Sequence, residues 1–217
     1  MIDAAVARRN MVDSQIRTNK VTDPRVIDAF AAVPRERFVP AGLSGVAYLD
    51  DDLELVRGRY LMEPMVMARL IQVLEPRAGE RGLDIGTGYG YAAAVLAHLV
   101  GSVVAVESDA ALVQAARRAL GESGASNVTV LQAPLAAGHA AGAPYDVIFV
   151  GGAVEHLPAD LLGQLAEGGR LATVQAGARV GEATLYIKTG GLVSHRPLFE
   201  ASTPRLAEFA APPRFVF

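Results

Sequence analysis

The second half of the chain alternates between short apolar segments and segments with the periodicity of a helix. The apolar segments fall at residues 82–85, 102–106, 127–131, 145–150 and 170–174. The helical patterns between them cover residues 90–99, 109–120 and 158–166. Strands that are separated by helices run parallel in one sheet, and a parallel sheet needs helices on both of its faces. The alternation therefore predicts an α/β fold built on a mainly parallel sheet.

The first part of the chain has a different pattern. Residues 3–18, 23–32 and 64–74 have apolar positions at helical spacing, which predicts three helices. Residues 41–63 form a long irregular segment that contains several glycines. Loops of this length are usually functional or mobile.

The tail of the chain reads as an antiparallel hairpin. Residues 183–188 and 192–198 alternate like strands, and the glycine-containing turn 189–191 joins them. From these three patterns together we expect a helical extension over residues 1–75, on one side of a compact core over residues 76–217.

Composition argues against several classes of function. The 217 residues carry a formal net charge of −3 without a cluster of Lys or Arg, so we expect no nucleic-acid partner. There is no cysteine, which excludes disulfides and thiol chemistry, and the four histidines are scattered, so we expect no metal. We find neither a secretory signal nor an apolar run of about 18 residues, the length that a membrane span needs. The sequence thus predicts a cytoplasmic protein that does not enter a membrane.

The segment Asp84-Ile85-Gly86-Thr87-Gly88-Tyr89-Gly90 ends the first predicted strand of the alternation and leads directly into a helix. Glycine permits a sharp turn and lets a ligand approach the main chain. Ligands bind parallel sheets at the carboxyl ends of the strands. Glu107 ends the next strand, where an acid can accept hydrogen bonds from both hydroxyls of a ribose. Together these features predict a site for a cofactor that contains a nucleoside.

The glycine spacing favours S-adenosylmethionine over a nicotinamide dinucleotide. A dinucleotide site normally has the pattern Gly-x-Gly-x-x-Gly and binds a pyrophosphate at the helix N-terminus. Here the third glycine comes one residue earlier. Asp84 would repel a pyrophosphate, but it suits the cationic amino-acid end of adenosylmethionine. An NAD(P)-binding oxidoreductase is the distant alternative.

Three further motifs precede the glycine loop. They are Met-Val-Asp-Ser-Gln-Ile at 11–16, Val-Pro-Arg-Glu-Arg-Phe-Val-Pro at 33–40 and Ala-Tyr-Leu-Asp at 47–50. Together with the loop and Glu107, these motifs resemble the protein-L-isoaspartate O-methyltransferase family. The resemblance extends over about residues 1–175, and the first two motifs are specific to that family.

The resemblance implies a Rossmann-like class I methyltransferase fold, with helices on both faces of the sheet. It also implies transfer of a methyl group from S-adenosylmethionine to a carboxylate of a protein or peptide, namely that of an isomerised aspartyl residue. The candidate cofactor-binding residues are Asp84, Gly86, Thr87, Gly88, Glu107, Ser108, Pro134 and Leu135. Asp84 is also the weak candidate for a catalytic role.

The chain departs from the family at the substrate motif. The family has Gly-Gln-Thr-Ile-Ser-x-Pro, whereas residues 58–64 read Gly-Arg-Tyr-Leu-Met-Glu-Pro, with Tyr60 at the Thr and Met62 at the active Ser. Methionine cannot donate a hydrogen bond to a carboxylate. Residues 133–135 also lack the acid that the family is expected to use for the adenine amino group.

Three interpretations therefore remain open: isoaspartyl methylation, methylation of a different acceptor, or a cofactor-binding fold that has lost catalysis. The candidate substrate-side residues are Arg59, Tyr60, Leu61, Met62, Gly151 and His156. For His156, a solvated or capping role is the competing interpretation. The sequence does not indicate an oligomeric state.

Overall fold

The structure is a computed structural model, and it describes residues 3–211. Residues 1–2 and 212–217, which belong to the expected ranges 1–75 and 76–217, lie outside the described residues. No helix in the described part of the chain is long and apolar enough to cross a membrane.

A mostly parallel sheet of seven strands organises the chain. The described residues form nine strands, of which the first two lie outside this sheet. In chain order they are β1 Leu53–Val56, β2 Arg59–Leu61, β3 Arg81–Ile85, β4 Ser102–Glu107, β5 Val128–Gln132, β6 Tyr145–Val154, β7 Leu165–Gln175, β8 Gly181–Thr189 and β9 Leu192–Ala201. The large sheet has the order β5-β4-β3-β6-β7-β8-β9, and β1 pairs only with β2. Strands β3 to β7 pair in parallel, whereas β8 and β9 add the predicted antiparallel hairpin. The predicted fold class is thereby confirmed.

Helices connect the parallel strands and build the amino-terminal part. They are α1 Ala4–Met11, α2 Pro24–Ala32, α3 Pro64–Val73, α4 Tyr91–Ala97, α5 Ala110–Ser123 and α6 Ala159–Gly163. N-terminal capping explains where two of these helices, α2 and α5, begin. The carboxylate of Asp23 accepts from the Arg25 N–H at 2.9 Å, and that of Asp109 accepts from the N–H groups of Ala111 and Leu112.

The sheet separates two hydrophobic clusters. Consecutive residues of a strand point to opposite faces, and along β6 the side chains of Val147 and Phe149 join one cluster while those of Ile148 and Val150 join the other. The first cluster also contains residues of α1, α2 and α3, so the amino-terminal helices share a core with the sheet. The second cluster includes side chains that follow β9, such as Leu206, and this brings the tail against the sheet.

The segment 41–63, which was expected to be irregular, contains ordered structure. It begins with a 3₁₀ turn over Ala41–Val46 and then forms the hairpin β1–β2 around Gly58, which has φ of 78°. Leu53 and Leu55 are buried on one face of this hairpin, which explains why so short a pair of strands persists. The prediction of a loop was wrong because each strand is too short to show a clear alternation.

Two predicted helices have different limits. The helix expected over 158–166 ends at Gly163, because β7 begins at Leu165 and pairs with Tyr145 before the register shifts. The helix expected over 3–18 is α-helical only to Met11 and continues as a π-helical segment, Val12–Ile16. The Ser14 hydroxyl donates to the Asn10 carbonyl at 2.6 Å, a contact that often bends helices.

Candidate active site

The glycine loop lies at the carboxyl end of β3, the central strand of the parallel part. Strand β4 flanks β3 on one side and β6 flanks it on the other, so the loop stands where the strand order reverses. This is the usual ligand-binding position in open α/β sheets. Gly86 has φ of 76° and Gly88 has φ of 56°, values that an L side chain rarely adopts. The loop then enters α4 at Tyr91.

Asp84 is fully buried beside this loop. Its Oδ2 accepts a hydrogen bond from the Thr87 hydroxyl at 2.6 Å, whereas its Oδ1 has no hydrogen-bond partner among the described residues. Burial raises the pKa of Asp84 to about 7. The Thr87 hydroxyl and the nearby Ala93 N–H oppose this shift, and the charge of Glu107 adds to it. A cation at Oδ1 would therefore stabilise the ionised carboxylate.

Glu107 is also fully buried, and its two carboxylate oxygens have unequal numbers of partners. Within the described part of the chain, Oε2 accepts from the Gly88 N–H alone, at 3.0 Å. Oε1 accepts from the N–H groups of Ser108 and Asp109 and from two nitrogens of Arg59, at 2.8–3.2 Å. The predicted ribose-binding acid is thus bound by the chain's own donors.

Arg59, which was expected on the substrate side, lies against the carboxyl end of β4, beside the candidate cofactor residues Glu107 and Ser108. Its Nη2 is 3.0 Å from Glu107, 3.1 Å from the Ser108 hydroxyl and 3.3 Å from a carboxylate oxygen of Glu208. The Arg59 side chain is 11% exposed. It therefore links the hairpin β1–β2 to the end of β4 and to the tail.

Glu208, which the sequence did not indicate, contacts two of the candidate site residues. It lies in a 3₁₀ turn, Ala207–Phe209, that follows the last strand. Its Oε1 accepts from the Ser108 hydroxyl at 2.7 Å, and its Oε2 accepts from the Leu135 N–H at 2.8 Å. Ser108 and Leu135 are both candidate cofactor residues, so one tail carboxylate bridges them. Pro134, the remaining candidate in this loop, is exposed.

Two leucines cover the glycine loop from opposite elements. A Cβ on Gly86 would lie 3.4 Å from Leu206, and a Cβ on Gly88 would lie 2.7 Å from Leu55. The backbone of the tail is held to β6, because Leu206 N–H donates to Ala153 O at 2.9 Å and Ala153 N–H donates to Pro204 O at 3.0 Å. The tail is therefore an ordered wall of this site.

The segment at the family's substrate motif is closely packed. Met62 is 1% exposed and Leu61 is 5% exposed, while Tyr60 is half-buried. The fully buried Arg35 donates from Nη2 to the Met62 carbonyl at 2.8 Å and from Nε to the Ala47 carbonyl at 2.7 Å. Met62 thus lies in the core, and buried guanidinium contacts fix its backbone.

Carboxylates gather next to Met62. Asp52 accepts from the Glu63 N–H at 3.0 Å and from the Thr203 hydroxyl at 3.0 Å. Burial raises the pKa of Glu63 to about 7, and the charges of Asp52 and its two preceding neighbours add to the shift. Burial also raises the pKa of Asp52. The substrate-side edge is therefore acidic and partly shielded from water.

The two remaining candidates have different positions. A Cβ on Gly151 would lie 3.1 Å from the Gly86 carbonyl, so Gly151 lies against the glycine loop. The side chain of His156 is exposed and lines a separate cleft with Tyr186 and His195. The structure brings Gly151 to the loop and places His156 at this other cleft.

The family model described as protein-L-isoaspartate(D-aspartate) O-methyltransferase matches residues 6–197. The chain is similar to protein-L-isoaspartate O-methyltransferase 2 of Anaeromyxobacter sp. (strain Fw109-5), with 43% identity over 164 residues, 76% of this chain and 68% of the relative. It is also similar to protein-L-isoaspartate O-methyltransferase 1 of Rhodopseudomonas palustris (strain HaA2), with 44% identity over 167 residues, 77% of this chain and 68% of that relative.

Two solved structures share the fold. A protein-L-isoaspartate O-methyltransferase has a TM-score of 0.79 and 28% identity, over 91% of this chain and 65% of that chain. A protein described as a probable member of the same enzyme class, from Plasmodium falciparum in complex with S-adenosyl-L-homocysteine, has a TM-score of 0.78 and 20% identity. The second match covers 96% of this chain and all of the other, and it supports the fold alone.

Proposed function

We propose that this chain, which belongs to the protein-L-isoaspartate O-methyltransferase family, transfers a methyl group from S-adenosylmethionine to a carboxylate of a protein or peptide. The family match covers residues 6–197, and curated relatives at about 40% identity carry the family's name. Enzymes of this family are S-adenosylmethionine-dependent O-methyltransferases. The acceptor and the site residues are proposals.

The residues around the glycine loop fit this cofactor. The buried Oδ1 of Asp84 is the observation that carries the assignment, because this acceptor has no hydrogen-bond donor within residues 3–211. An ammonium group of the cofactor's amino-acid part would supply that donor as a charge-assisted hydrogen bond. Glu107 would accept the ribose hydroxyls, while Gly86 and Gly88 allow the main chain to come close.

Positioning is the main task of the protein in this reaction. When bound, adenosylmethionine supplies an electrophilic methyl group, which a carboxylate oxygen of the acceptor takes while S-adenosylhomocysteine leaves. A carboxylate is already ionised near neutral pH, so alignment matters more than a general base. Asp84 and Glu107 would orient the cofactor, and Arg35 would fix the substrate-side segment through the Met62 carbonyl.

The burial of Met62 favours a second candidate, a chain that does not methylate isoaspartyl residues. Such a chain either methylates a different acceptor or binds the cofactor without turnover. The family's active serine corresponds to Met62, whose side chain is packed in the core and carries no hydroxyl. An isoaspartyl carboxylate would then depend on other donors. Tyr60, which is half-buried at the neighbouring motif position, is the candidate donor.

Two measurements test these proposals. Isothermal titration with S-adenosylhomocysteine should give saturable binding, and its absence at high micromolar ligand would refute the cofactor assignment. Methyl transfer should then be measured on an isoaspartyl peptide, with the same peptide containing ordinary aspartate as the control. Transfer to the isoaspartyl peptide alone supports repair activity, whereas binding without transfer to either peptide favours the second candidate.

Two predictions from the sequence stay predictions. One is the division into a substrate-side extension, 1–75, and a core, 76–217; side chains of both ranges within the described residues share the first hydrophobic cluster. The other is a cytoplasmic location; the absence of cysteine from the sequence is compatible with a reducing compartment.

A further inference from the structure

The residues expected to bind the nucleoside of the cofactor already form hydrogen bonds with other side chains of the protein. Arg59 binds Glu107 and Ser108, and Glu208 binds Ser108 and Leu135. Arg59 and Glu208 also contact each other at 3.3 Å. Two side chains that are distant in sequence thus form one connected pair across the expected ribose and adenine positions.

The chain's own donors take up most of the acceptor capacity of Glu107. A carboxylate oxygen has about two lone-pair sites for strong hydrogen bonds. Oε1 already receives two backbone N–H groups and two nitrogens of Arg59, and Oε2 receives the Gly88 N–H. By this count Oε2 keeps one acceptor site, whereas Oε1 has more donors than lone-pair sites. A second ribose hydroxyl must therefore replace a donor at Oε1, and Arg59 is a side-chain donor that can leave.

We propose that Arg59 and Glu208 form an internal latch that competes with the cofactor's nucleoside, so that binding must exchange the Arg59 guanidinium for the ribose hydroxyls. The inference rests on the proposed function, because it assumes that adenosylmethionine is the ligand. Arg59 is a positioning residue in this scheme. It keeps the buried charge of Glu107 paired before the ligand arrives.

Replacing the Arg59 guanidinium by ribose hydroxyls requires rotation of side chains more than movement of the backbone. The tail is anchored on both sides of Glu208. Leu206 N–H donates to Ala153 in β6, and the Phe209 carbonyl accepts from the N–H groups of Glu155 and His156, which follow β6. Glu208 has a side chain 32% exposed, so its carboxylate can turn into water. Arg59 follows the exposed turn residue Gly58 and can swing out at the same edge.

The latch predicts that breaking it strengthens binding. Arg59→Gln should bind S-adenosylhomocysteine roughly tenfold more tightly than the unmodified protein, since the ligand no longer displaces a charge-assisted contact. Glu208→Gln, which leaves the Arg59–Glu107 contact in place, should bind about threefold more tightly. Arg57→Gln is the matched control, because Arg57 is an exposed cation two residues from Arg59.

Isothermal titration of the four proteins with S-adenosylhomocysteine tests the latch, and thermal unfolding checks that each variant is folded. A purely structural role for Arg59 predicts unchanged or weaker binding, so tighter binding by Arg59→Gln and Glu208→Gln supports the latch. Tighter binding by Arg59→Gln with unchanged binding by Glu208→Gln also supports it. If the unmodified protein binds and neither variant is tighter, the latch is wrong while the proposed function stands. If no protein binds, both are refuted. Should Arg59→Gln fail to fold, Glu208→Gln decides.

Discussion

Replacing Asp84 by asparagine should make the protein more stable and its cofactor binding weaker. The carboxyl group of Asp84 titrates at about 7 in the folded chain, compared with the ordinary value of 3.8. About three pKa units correspond to roughly 4 kcal/mol, which is an upper limit on the cost of holding this charge in the core. The asparagine amide needs partners of its own, so we expect a net gain in the free energy of unfolding of about 1–3 kcal/mol at pH 8.

The pH dependence follows from the sign of the shift. The raised pKa means that, between about 4 and 7, the folded chain binds more protons at this group than the unfolded chain. The contribution of Asp84 to stability therefore falls as pH rises through this window, and the penalty is complete above pH 7. The advantage of Asp84→Asn should be largest at pH 8 and shrink steadily towards pH 5.

Urea unfolding at several pH values measures this difference. Subtracting the free energy of unfolding of one protein from that of the other at each pH removes the contribution of Glu63, which titrates in both. Asp13→Asn is the control, because the side chain of Asp13 is 66% exposed and its replacement should change stability by no more than about 0.5 kcal/mol. A variant that is less stable than the unmodified protein at pH 8, or whose gain does not depend on pH, would refute the reasoning.

The affinity of the same variant completes the test. An uncharged amide loses a charge-assisted contact to the ligand's ammonium group, worth about 1.5–3 kcal/mol, or roughly 10- to 100-fold in affinity for S-adenosylhomocysteine. Stability and affinity then move in opposite directions, whereas a purely structural role for Asp84 would move them together. Equal affinity of the two proteins, measured by isothermal titration at pH 8, contradicts the placement of the ammonium group.

Gly88→Ala should lower stability by about 1–3 kcal/mol, because φ at this residue is 56° and the new Cβ would lie 2.7 Å from Leu55. Gly121→Ala in α5, where nothing lies within 4 Å of the new Cβ, should instead raise stability by about 0.5–1 kcal/mol, and thermal unfolding that ranked the two variants the other way would contradict this account. Arg35→Leu should lower stability by about 2–5 kcal/mol, because the carbonyls of Ala47 and Met62 lose their buried donor. Urea unfolding checks this against Arg37→Leu, an exposed position in the same turn, and equal losses for the two variants would argue against it.

The sequence predicted the parts of the fold that depend on local patterns. Strands β3, β4 and β6 are apolar runs of ordinary length, and the glycine loop and Glu107 follow from where those runs end. These residues are close in sequence to the strands that position them. The parallel pairing of β3 with β4 then brings Asp84 and Glu107 to one edge of the sheet.

The rest of the site depends on contacts between distant segments. Arg59 lies 48 residues from Glu107, and Glu208 lies 149 residues from Arg59, so periodicity in a short window carries no signal of their meeting. The burial of Arg35 was equally hidden, since arginine is normally a surface residue. Its place in the motif 33–40 was the one sign that it had a special position.

The many bonds of Glu107 have an evolutionary consequence. The same carboxylate joins β4, the Gly88 N–H and the guanidinium of Arg59, so replacing it should weaken the fold as well as the proposed ligand binding. In a descendant that abandoned its cofactor, loss of the acid would still leave the buried Arg59 with the longer contact to Glu208 in place of its 3.0 Å contact to Glu107. Among relatives that share Arg59, retention of Glu107 is thus a poor marker of catalytic competence. Paired loss of both residues would be the more informative genetic trace.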